Sequence, residues 1–207
     1  NRIQPFSQIE SCTRWLRDAG INAINFDLMY GLPYQTVDSI ADNVQKAMSL
    51  KPNRVALFGY AHVPWMKPHQ KILEKYGLPD MIERYDQSEM ARDMLKQGGY
   101  SPIGMDHFAH ENDPLTVAHE TGVVKRNFQG YTNDRADTLI GFGLSAISQV
   151  PGAYVQNTTF FSSYKEKLEK GIFPDERWIY ITDEDRLRGD IIESLMCYFN
   201  VDCADTC

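Results

Sequence analysis

An alternation of amphipathic helices and apolar strands over the first 61 residues most constrains what this chain can fold into. Apolar residues at three- and four-residue steps predict a helix over 6–19. A buried strand ending near Leu28 follows, then a helix with Thr36 as its N-cap, and then a second strand over RVALFGYA. This order at this spacing is typical of right-handed β/α units on a parallel sheet, so we expect an α/β fold.

The middle of the chain has less regular patterns. A helix is predicted over 81–97, and YSPIGMDHFA predicts one further strand that runs into a polar loop. Residues 120–135 predict a loop or a hairpin. The segment 139–149 fits helix and strand templates equally well, so its structure stays open.

Helical patterns return near the end of the chain. They cover 158–170 and 182–199 and predict the beginning of a small helical C-terminal domain. The expected domains are therefore 1–172, a barrel portion with substrate-side loops, and 173–207. The chain opens without Met and stops just after an amphipathic segment, which suggests that both ends are cuts.

Composition excludes several classes of partner. The net charge of -7 and the pI near 5.2 remove the usual electrostatic basis for binding nucleic acid or an anionic membrane. No apolar run approaches the ~18 residues of a membrane span, and no secretory signal is evident, so a cytoplasmic protein is expected. The cysteines are too few and too clustered for a secreted disulfide framework, and they favour a reduced compartment: Cys12, Cys197, Cys203 and Cys207.

The carboxyl ends of the predicted strands are where this fold class places ligands. Asp27 lies near the end of the first strand, and a carboxylate there needs a donor such as a ribose hydroxyl, a ligand amine or an arginine. The alternative is that Asp27 caps the turn in YGLP. Ala61, at the end of the second strand, offers only main-chain groups and a small side chain, so the pattern alone assigns it no role.

Basic residues at two places are candidates for binding carboxylates. Arg2 precedes the first helix and has the geometry for a bidentate pair, although an isolated arginine near a chain end is usually solvated. In the predicted loop or hairpin, Lys125 and Arg126 stand beside Phe128 and Gln129. Aromatic surface next to basic groups suits a flat anionic ligand, and a turn with a solvated basic pair is the alternative.

His107 and His110 fall among acidic residues in MDHFAHEND, which is compatible with a metal site. The flanking pattern predicts strand into loop rather than a helix, and no further ligand is assured, which favours a structural or substrate-facing role. The residues alone therefore predict a partial β/α barrel with an aromatic, mildly basic mouth.

Six separated segments carry a resemblance to a known family. In order, they are NRIQ, FDLMYGLPYQT, YAHVP, GMDHFA, KRNFQGYT and GFGLSAIS. They closely resemble the oxygen-independent coproporphyrinogen III dehydrogenases, which are radical S-adenosylmethionine enzymes of haem biosynthesis. Related haem-chaperone-like proteins share the YGLP-type and GFG-type segments but are not expected to carry GMDHFA and RNFQGYT. The enzyme is the leading interpretation, and a haem-binding paralogue without dehydrogenase activity is the alternative.

This resemblance implies a partial (β/α) barrel of the radical S-adenosylmethionine type that holds a 4Fe–4S cluster and two molecules of S-adenosylmethionine. In the family, the cluster supplies an electron that cleaves S-adenosylmethionine, and the resulting 5′-deoxyadenosyl radical takes a hydrogen atom from a propionate. Loss of CO2 and one electron then leaves a vinyl group. Two such events convert coproporphyrinogen III into protoporphyrinogen IX.

The resemblance also implies site residues. It assigns six of them to the surroundings of S-adenosylmethionine: Arg2 and Asp27 as contacts, Ala61 and Ile147 as other positions of the same pocket, and Phe128 and Gln129 beside the second molecule, where the substrate approaches. The cysteine loop that binds the cluster belongs to an N-terminal part of the family, and the cysteines of this sequence do not match it. No metal ligand is therefore expected here.

Three further expectations follow for partners and activity. The partner is a porphyrinogen, a small molecule, with neither nucleic acid nor membrane. The chain alone is expected to be inactive and, because half a barrel exposes a sheet edge, to self-associate. The full-length enzyme is expected to be a monomer.

Overall fold

The computed structural model describes residues 4–202. The helices are α1 (Phe6–Asp18), α2 (Val37–Ser49), α3 (Lys71–Glu74), α4 (Met81–Gln97), α5 (Pro114–Glu120), α6 (Phe161–Glu169) and α7 (Asp183–Tyr198). The strands are β1 (Asn25–Tyr30), β2 (Arg54–Gly59), β3 (Tyr100–Ile103), β4 (His107–His110), β5 (Lys125–Asn127), β6 (Gly130–Thr132), β7 (Ile147–Val150), β8 (Ala153–Asn157) and β9 (Asp175–Tyr180). The chain divides into two compact units, unit 1 (Asn1–Gly122) and unit 2 (Val123–Cys207).

Unit 1 is built on a four-stranded sheet with the strand order β1-β2-β4-β3. β1 and β2 are parallel and joined through α2, which confirms the predicted β/α unit. β4 pairs antiparallel with both β2 and β3, so the sheet is mixed. The single strand expected over YSPIGMDHFA is wrong, because Gly104 takes a φ of 56° and the turn over 104–106 reverses the chain into a hairpin.

Local sequence explains where the two long helices of unit 1 begin. Thr36 is the N-cap of α2 as predicted, with its hydroxyl accepting from the Ser39 main-chain N–H at 3.2 Å. The Ser39 hydroxyl in turn accepts from the Thr36 N–H at 2.9 Å. Asp80 and Glu83 form the same reciprocal pair at the start of α4. Each pair satisfies main-chain donors that the first helical turn leaves unbonded.

The core of unit 1 lies between one face of the sheet and the helices α2 and α4. It includes Val44 of α2, Leu95 of α4 and Phe108 of β4, all at most 1% exposed. Leu28 and Tyr30 of β1 pack against this core. Because side chains alternate along a strand, Asp27 and Met29 of β1 point to the opposite face of the sheet.

Unit 2 contains a β-hairpin, a three-stranded antiparallel sheet and two helices. The hairpin β5–β6 agrees with the loop or hairpin expected over 120–135. The sheet has the order β7-β8-β9, so the segment left open at 139–149 runs into a strand, and β8 and β9 were not predicted. Helices occur inside both predicted C-terminal ranges. The division at residue 172 stays a prediction.

Within residues 4–202, no helix combines the length and the apolar character that crossing a membrane requires.

Candidate functional site

Asp27 lies in β1 on the sheet face that points away from the core. Its cross-strand neighbour is Ala56 of β2, and the neighbour of Ala56 on β4 is His107, so these three residues form one row across the same face. Asp27 is exposed, and its Oδ1 accepts from the Asn25 side-chain amide at 2.7 Å. Its side chain makes no second hydrogen bond within residues 4–202. The carboxylate is thus able to accept from a hydroxyl or an ammonium group of a ligand.

The YGLP turn after β1 is held by glutamines rather than by Asp27. The Gly31 N–H donates to Gln87 Oε1 at 3.0 Å, and the Leu32 N–H donates to Gln35 Oε1 at 2.7 Å. The Gln87 amide also donates to the Gln35 carbonyl at 2.9 Å. Gly31 has a φ of 83°, and a Cβ there would lie 2.9 Å from Arg84 Nε, so only glycine fits. This turn is therefore rigid and closely packed.

Ala61 is exposed in the turn that follows β2, and its main chain is fixed on both sides. Arg84 donates to the Tyr60 carbonyl at 2.8 Å. The Gln70 side-chain amide donates to the Ala61 carbonyl at 3.1 Å, and Gln70 Oε1 accepts from the Val63 N–H at 2.7 Å. A small residue held in this way at the carboxyl end of a parallel strand allows a ligand to approach the backbone closely.

His62 and its surroundings were missed by the sequence analysis. Its Nε2 lies 3.0 Å from Glu74 Oε1, whereas its Nδ1 is buried without a hydrogen-bond partner in the described part of the chain. The hydroxyl of Tyr60 is also buried and unbonded there. Both residues flank Ala61 in the YAHVP segment, and that position after a strand was the only signal available.

A groove of about 570 Å³ runs along β1. Its lining includes Asn25 and Asp27 from β1, Ile9 from α1, and Ala47 from α2. β1 is the outer strand of the four-stranded sheet, so among the described residues its second edge has no strand partner. An open edge of this kind presents main-chain donors and acceptors to a neighbour.

The histidines of MDHFAHEND have structural partners. Nδ1 of His107 lies 2.7 Å from Asp106 Oδ1, and its ring stands edge-on to Phe58 at 5.8 Å between centroids. The His110 ring meets Tyr100 in the same way at 5.6 Å. Within residues 4–202, no group of three or more His, Cys, Asp or Glu side chains is arranged to hold a metal.

In unit 2, Phe128 and Gln129 form the two-residue tip of the hairpin, between the paired residues Asn127 and Gly130. Both tip side chains are exposed. The Phe128 ring stands edge-on to Tyr154 at 5.2 Å between centroids, and the Gln129 N–H donates to Asn127 Oδ1 at 2.8 Å. The hairpin therefore presents one aromatic ring and one amide to solvent at a defined turn.

Helix α7 anchors this hairpin. The Val124 N–H donates to the Tyr198 hydroxyl at 2.6 Å, and the Tyr131 hydroxyl donates to the Met196 carbonyl at 3.0 Å. The Arg126 guanidinium lies 5.6 Å from the centre of the Tyr131 ring. A cleft of about 600 Å³ next to the hairpin carries charges of both signs: Lys125, Arg126, Asp185, Arg186, Asp190 and Glu193.

Ile147 is the first residue of β7, and the GFG segment folds back on it. A Cβ on Gly141 would lie 2.7 Å from the Ile147 carbonyl oxygen, so the two main chains are in close contact. The Asn157 amide donates to the Gly143 carbonyl at 2.9 Å, and Gly143 has a φ of 108°. Gly141 thus allows this close approach, whereas Gly143 allows the positive φ of the turn.

The structure places the site residues that it describes in two groups. Asp27 and Ala61 lie on neighbouring parallel strands or just beyond them in unit 1, and Phe128, Gln129 and Ile147 lie in unit 2. Arg2 lies outside the described residues. The assignment of all six to a cofactor pocket stays a prediction.

The side chains suit one implied cofactor better than the other. Asp27 offers a carboxylate with hydrogen-bonding capacity, and Ala61 offers a fixed main chain, and both suit the hydroxyl and amino groups of S-adenosylmethionine. For the iron–sulfur cluster, Cys12 is exposed on α1 and Cys197 is buried on α7, without a ligand set around either in the described range. Cys203 and Cys207 lie outside the described residues.

A solved structure shares this fold over the whole chain. It is coproporphyrinogen III oxidase (HemN) from Escherichia coli, which is described as a radical SAM enzyme, and the match has a TM-score of 0.91 and 37% sequence identity. It covers 100% of this chain and 48% of that one. The fold is therefore that of the corresponding part of a radical SAM enzyme, as predicted.

Curated proteins also match the chain in sequence. An oxygen-independent coproporphyrinogen III oxidase of Bradyrhizobium diazoefficiens is 46% identical over 207 residues, which is 100% of this chain and 46% of the relative. One from Cereibacter sphaeroides is 44% identical over 201 residues, or 97% of this chain and 44% of the relative. No protein-family model matches the chain. The chain is thus homologous to one segment of these oxygen-independent coproporphyrinogen III oxidases, and it spans just under half the length of each of the two.

Proposed function

We propose that a protein with this sequence takes part in the oxygen-independent conversion of coproporphyrinogen III into protoporphyrinogen IX. The observation that supports this most strongly is homology along the entire chain to oxidases of that name. The positions of Asp27 and Ala61 add to it, because they belong to two of the resembling segments, Asp27 in β1 and Ala61 in the turn that follows the neighbouring parallel strand β2. Under this proposal the chain supplies part of the surface for S-adenosylmethionine and for the porphyrinogen.

The proposed reaction acts on two propionates, each –CH2–CH2–COO⁻. Removal of one hydrogen atom from the carbon next to the ring, followed by loss of CO2 and transfer of one electron to an external one-electron acceptor, leaves –CH=CH2. S-adenosylmethionine, when bound, supplies the group that takes the hydrogen atom. The Asp27 carboxylate would accept hydrogen bonds from S-adenosylmethionine, and the fixed main chain at Ala61 would limit the position of this cofactor. Two molecules of S-adenosylmethionine in the complete enzyme belong to this proposal.

The same proposal extends to architecture. We infer that β1 and β2 are neighbouring strands of a partial (β/α) barrel, in which a further parallel strand would pair with the open edge of β1. The groove along that edge is consistent with such a partner. The cluster would then be held by parts of the protein beyond the described residues, and α7 would begin a helical domain.

A chimaera tests the function. The matching segment of the Bradyrhizobium diazoefficiens oxidase is replaced by this chain, and protoporphyrinogen formation is measured without oxygen. Asp27→Asn in the chimaera is expected to lower kcat/KM for S-adenosylmethionine by roughly 10- to 100-fold, because a hydrogen bond to a charged group contributes about 1.5–3 kcal/mol.

The matched control is Asp93→Asn, which changes an exposed aspartate of α4 and is expected to leave kcat/KM unchanged. A chimaera that keeps its iron–sulfur absorbance but forms no product would contradict the proposed activity. Equal kinetics for the Asp27→Asn and Asp93→Asn variants would contradict the role of Asp27.

A further inference from the structure

The segment between β2 and α4 carries a cluster of exposed apolar side chains. Trp65 is 76% exposed, Met66 69% and Ile72 57%. Tyr76 lies with its ring 6.0 Å from that of Tyr34, which belongs to the loop after β1 and is 78% exposed. The loops after β1 and β2 leave the same edge of the sheet, because these strands are parallel. The apolar cluster therefore lies at the carboxyl edge, where β/α folds bind ligands.

Lysines border this apolar cluster. Lys71 begins α3, whereas Lys67 precedes the short 3-10 helix Pro68–Gln70 as its N-cap and Lys75 follows α3 as its C-cap, so all three lie in this short helical segment or at its ends. All three are exposed, and none has an acidic group within 4.0 Å among residues 4–202. Glu74, the acidic residue of this stretch, is bound by His62 at 3.0 Å.

The segment is held in place by its own hydrogen bonds. The Val63 carbonyl accepts from the N–H groups of both Met66 and Lys67 at 2.9 Å. Gln70 connects the same turn to the Ala61 carbonyl at 3.1 Å. A ligand surface that is formed in advance loses less conformational entropy when the ligand binds. The segment is also joined directly to Ala61, one of the predicted cofactor positions.

We propose that residues 65–76, together with Tyr34, form the surface that binds the tetrapyrrole substrate, an inference that rests on the proposed function. The aromatic and aliphatic side chains cover the apolar pyrrole rings of the macrocycle, and the lysines pair with carboxylates at its rim. Charge complementarity supports this occupant, since the stretch carries three lysines and one paired glutamate in a chain of net charge -7.

Unit 2 offers a weaker alternative for the same ligand. Lys125 and Arg126 share their cleft with Asp185, Asp190 and Glu193, and Glu193 accepts from the Arg126 N–H at 3.2 Å. Acidic groups beside the basic pair repel a carboxylate ligand. The stretch 65–76 carries a single acidic residue, Glu74, which lies 3.0 Å from His62, whereas the cleft of unit 2 carries three.

Equilibrium binding of coproporphyrin III tests the inference on the full chain. This oxidised, stable analogue keeps the macrocycle and the four carboxylates, and its binding is followed by tryptophan fluorescence. Changing Lys67, Lys71 and Lys75 together to Gln is expected to raise Kd roughly tenfold, because exposed ion pairs contribute modestly one by one. The loss is expected to shrink at high salt, where the wild-type affinity also falls.

Two matched controls sharpen the test. Changing Lys46, Lys51 and Lys96 together to Gln alters the same charge at other exposed sites of unit 1 and is expected to change Kd less than about twofold. Trp65→Ala is expected to weaken binding roughly tenfold through lost aromatic contact, whereas Trp15→Ala, on a tryptophan that is 63% exposed, leaves it unchanged. Circular dichroism verifies that each variant is folded.

Several results would overturn the inference. They are absence of coproporphyrin binding by the wild-type chain, equal losses in the two lysine variants, and loss of binding on changing Lys125 and Arg126 instead. Binding to phosphatidylserine vesicles in preference to coproporphyrin would assign the segment to a membrane. An inactive chimaera with intact coproporphyrin binding contradicts the proposed function, whereas an active one with unaltered binding in the Lys67, Lys71 and Lys75 variant contradicts this inference alone.

Discussion

Unit 1 and unit 2 differ in how they bury their apolar side chains. In unit 1, the sheet and two amphipathic helices enclose a core whose central residues, among them Val55 and Leu95, are 0% exposed. In unit 2, helix α6 has no buried residue, and β9 is exposed from Glu176 to Tyr180 on both faces. Phe173 and Trp178 are 84% and 52% exposed.

This difference indicates which interactions stabilise each unit. Unit 1 is stabilised by apolar packing, since full burial of an aliphatic or aromatic side chain contributes about 1.5–3 kcal/mol. Unit 2 is stabilised by main-chain hydrogen bonds between paired strands and by a few buried residues, among them Ala153, Thr158 and Cys197. Exposed apolar surface of this kind is typical of sites that bind other proteins.

The largest expected effect separates a buried phenylalanine from an exposed one. Phe108→Ala removes a ring that is 1% exposed at the centre of the unit 1 core, and it is expected to lower the free energy of unfolding by about 3–5 kcal/mol. Phe173→Ala removes one that is 84% exposed and is expected to change it by less than about 0.5 kcal/mol. Urea unfolding followed by circular dichroism measures both, and similar midpoints for the two variants would remove the contrast between the units.

A smaller effect is expected from two glycines of unit 2. Gly141→Ala places a methyl group 2.7 Å from the Ile147 carbonyl oxygen, so the backbone must shift, at a cost of about 1–3 kcal/mol. Gly189→Ala, inside α7, has no atom within 4 Å of the new methyl group and is expected to stabilise by about 0.5–1 kcal/mol. Thermal unfolding shows whether each variant has a higher or a lower Tm than the wild type. Destabilisation by both variants would show that there is no free space for a methyl group at Gly189.

Prediction from sequence succeeded where one buried face produces a periodic pattern. Helix α2, which buries Ile40, Val44 and Ala47, is of this kind, and it joins the correctly predicted parallel strands β1 and β2. It failed for β9, because a strand exposed on both faces shows no alternation between apolar and polar residues. It also failed at Gly104, where one backbone angle turns an expected single strand into a hairpin.

For the candidate site, the sequence indicated which residues take part but not which residues hold them in place. Asp27 stood out through its strand position and the family resemblance, and Ala61 through the resemblance alone. Gln87 contacts Gly31, which precedes it by 56 residues, and Arg84 contacts Tyr60 across 24 residues. Contacts between such distant positions leave no local pattern in a single sequence, so the groups that hold the site residues emerge only from the fold.

The last expected effect on stability appears only at high pH and concerns Cys197, the buried residue of α7. Burial, with help from the Glu193 carboxylate, raises the pKa of its thiol from 9.0 to about 11. The thiol of the unfolded chain ionises first, so its contribution to stability is complete below pH 9 and is lost as the pH rises towards 11. Cys197→Ala is expected to remove this part of the pH dependence.

At pH 8.5 the exposed Cys12 is expected to be alkylated by iodoacetamide at least about 100-fold faster than Cys197, as measured by peptide mass spectrometry. Equal alkylation rates would mean that Cys197, the buried residue of α7, is accessible to solvent. Unit 2 would then have fewer buried residues than its packing requires.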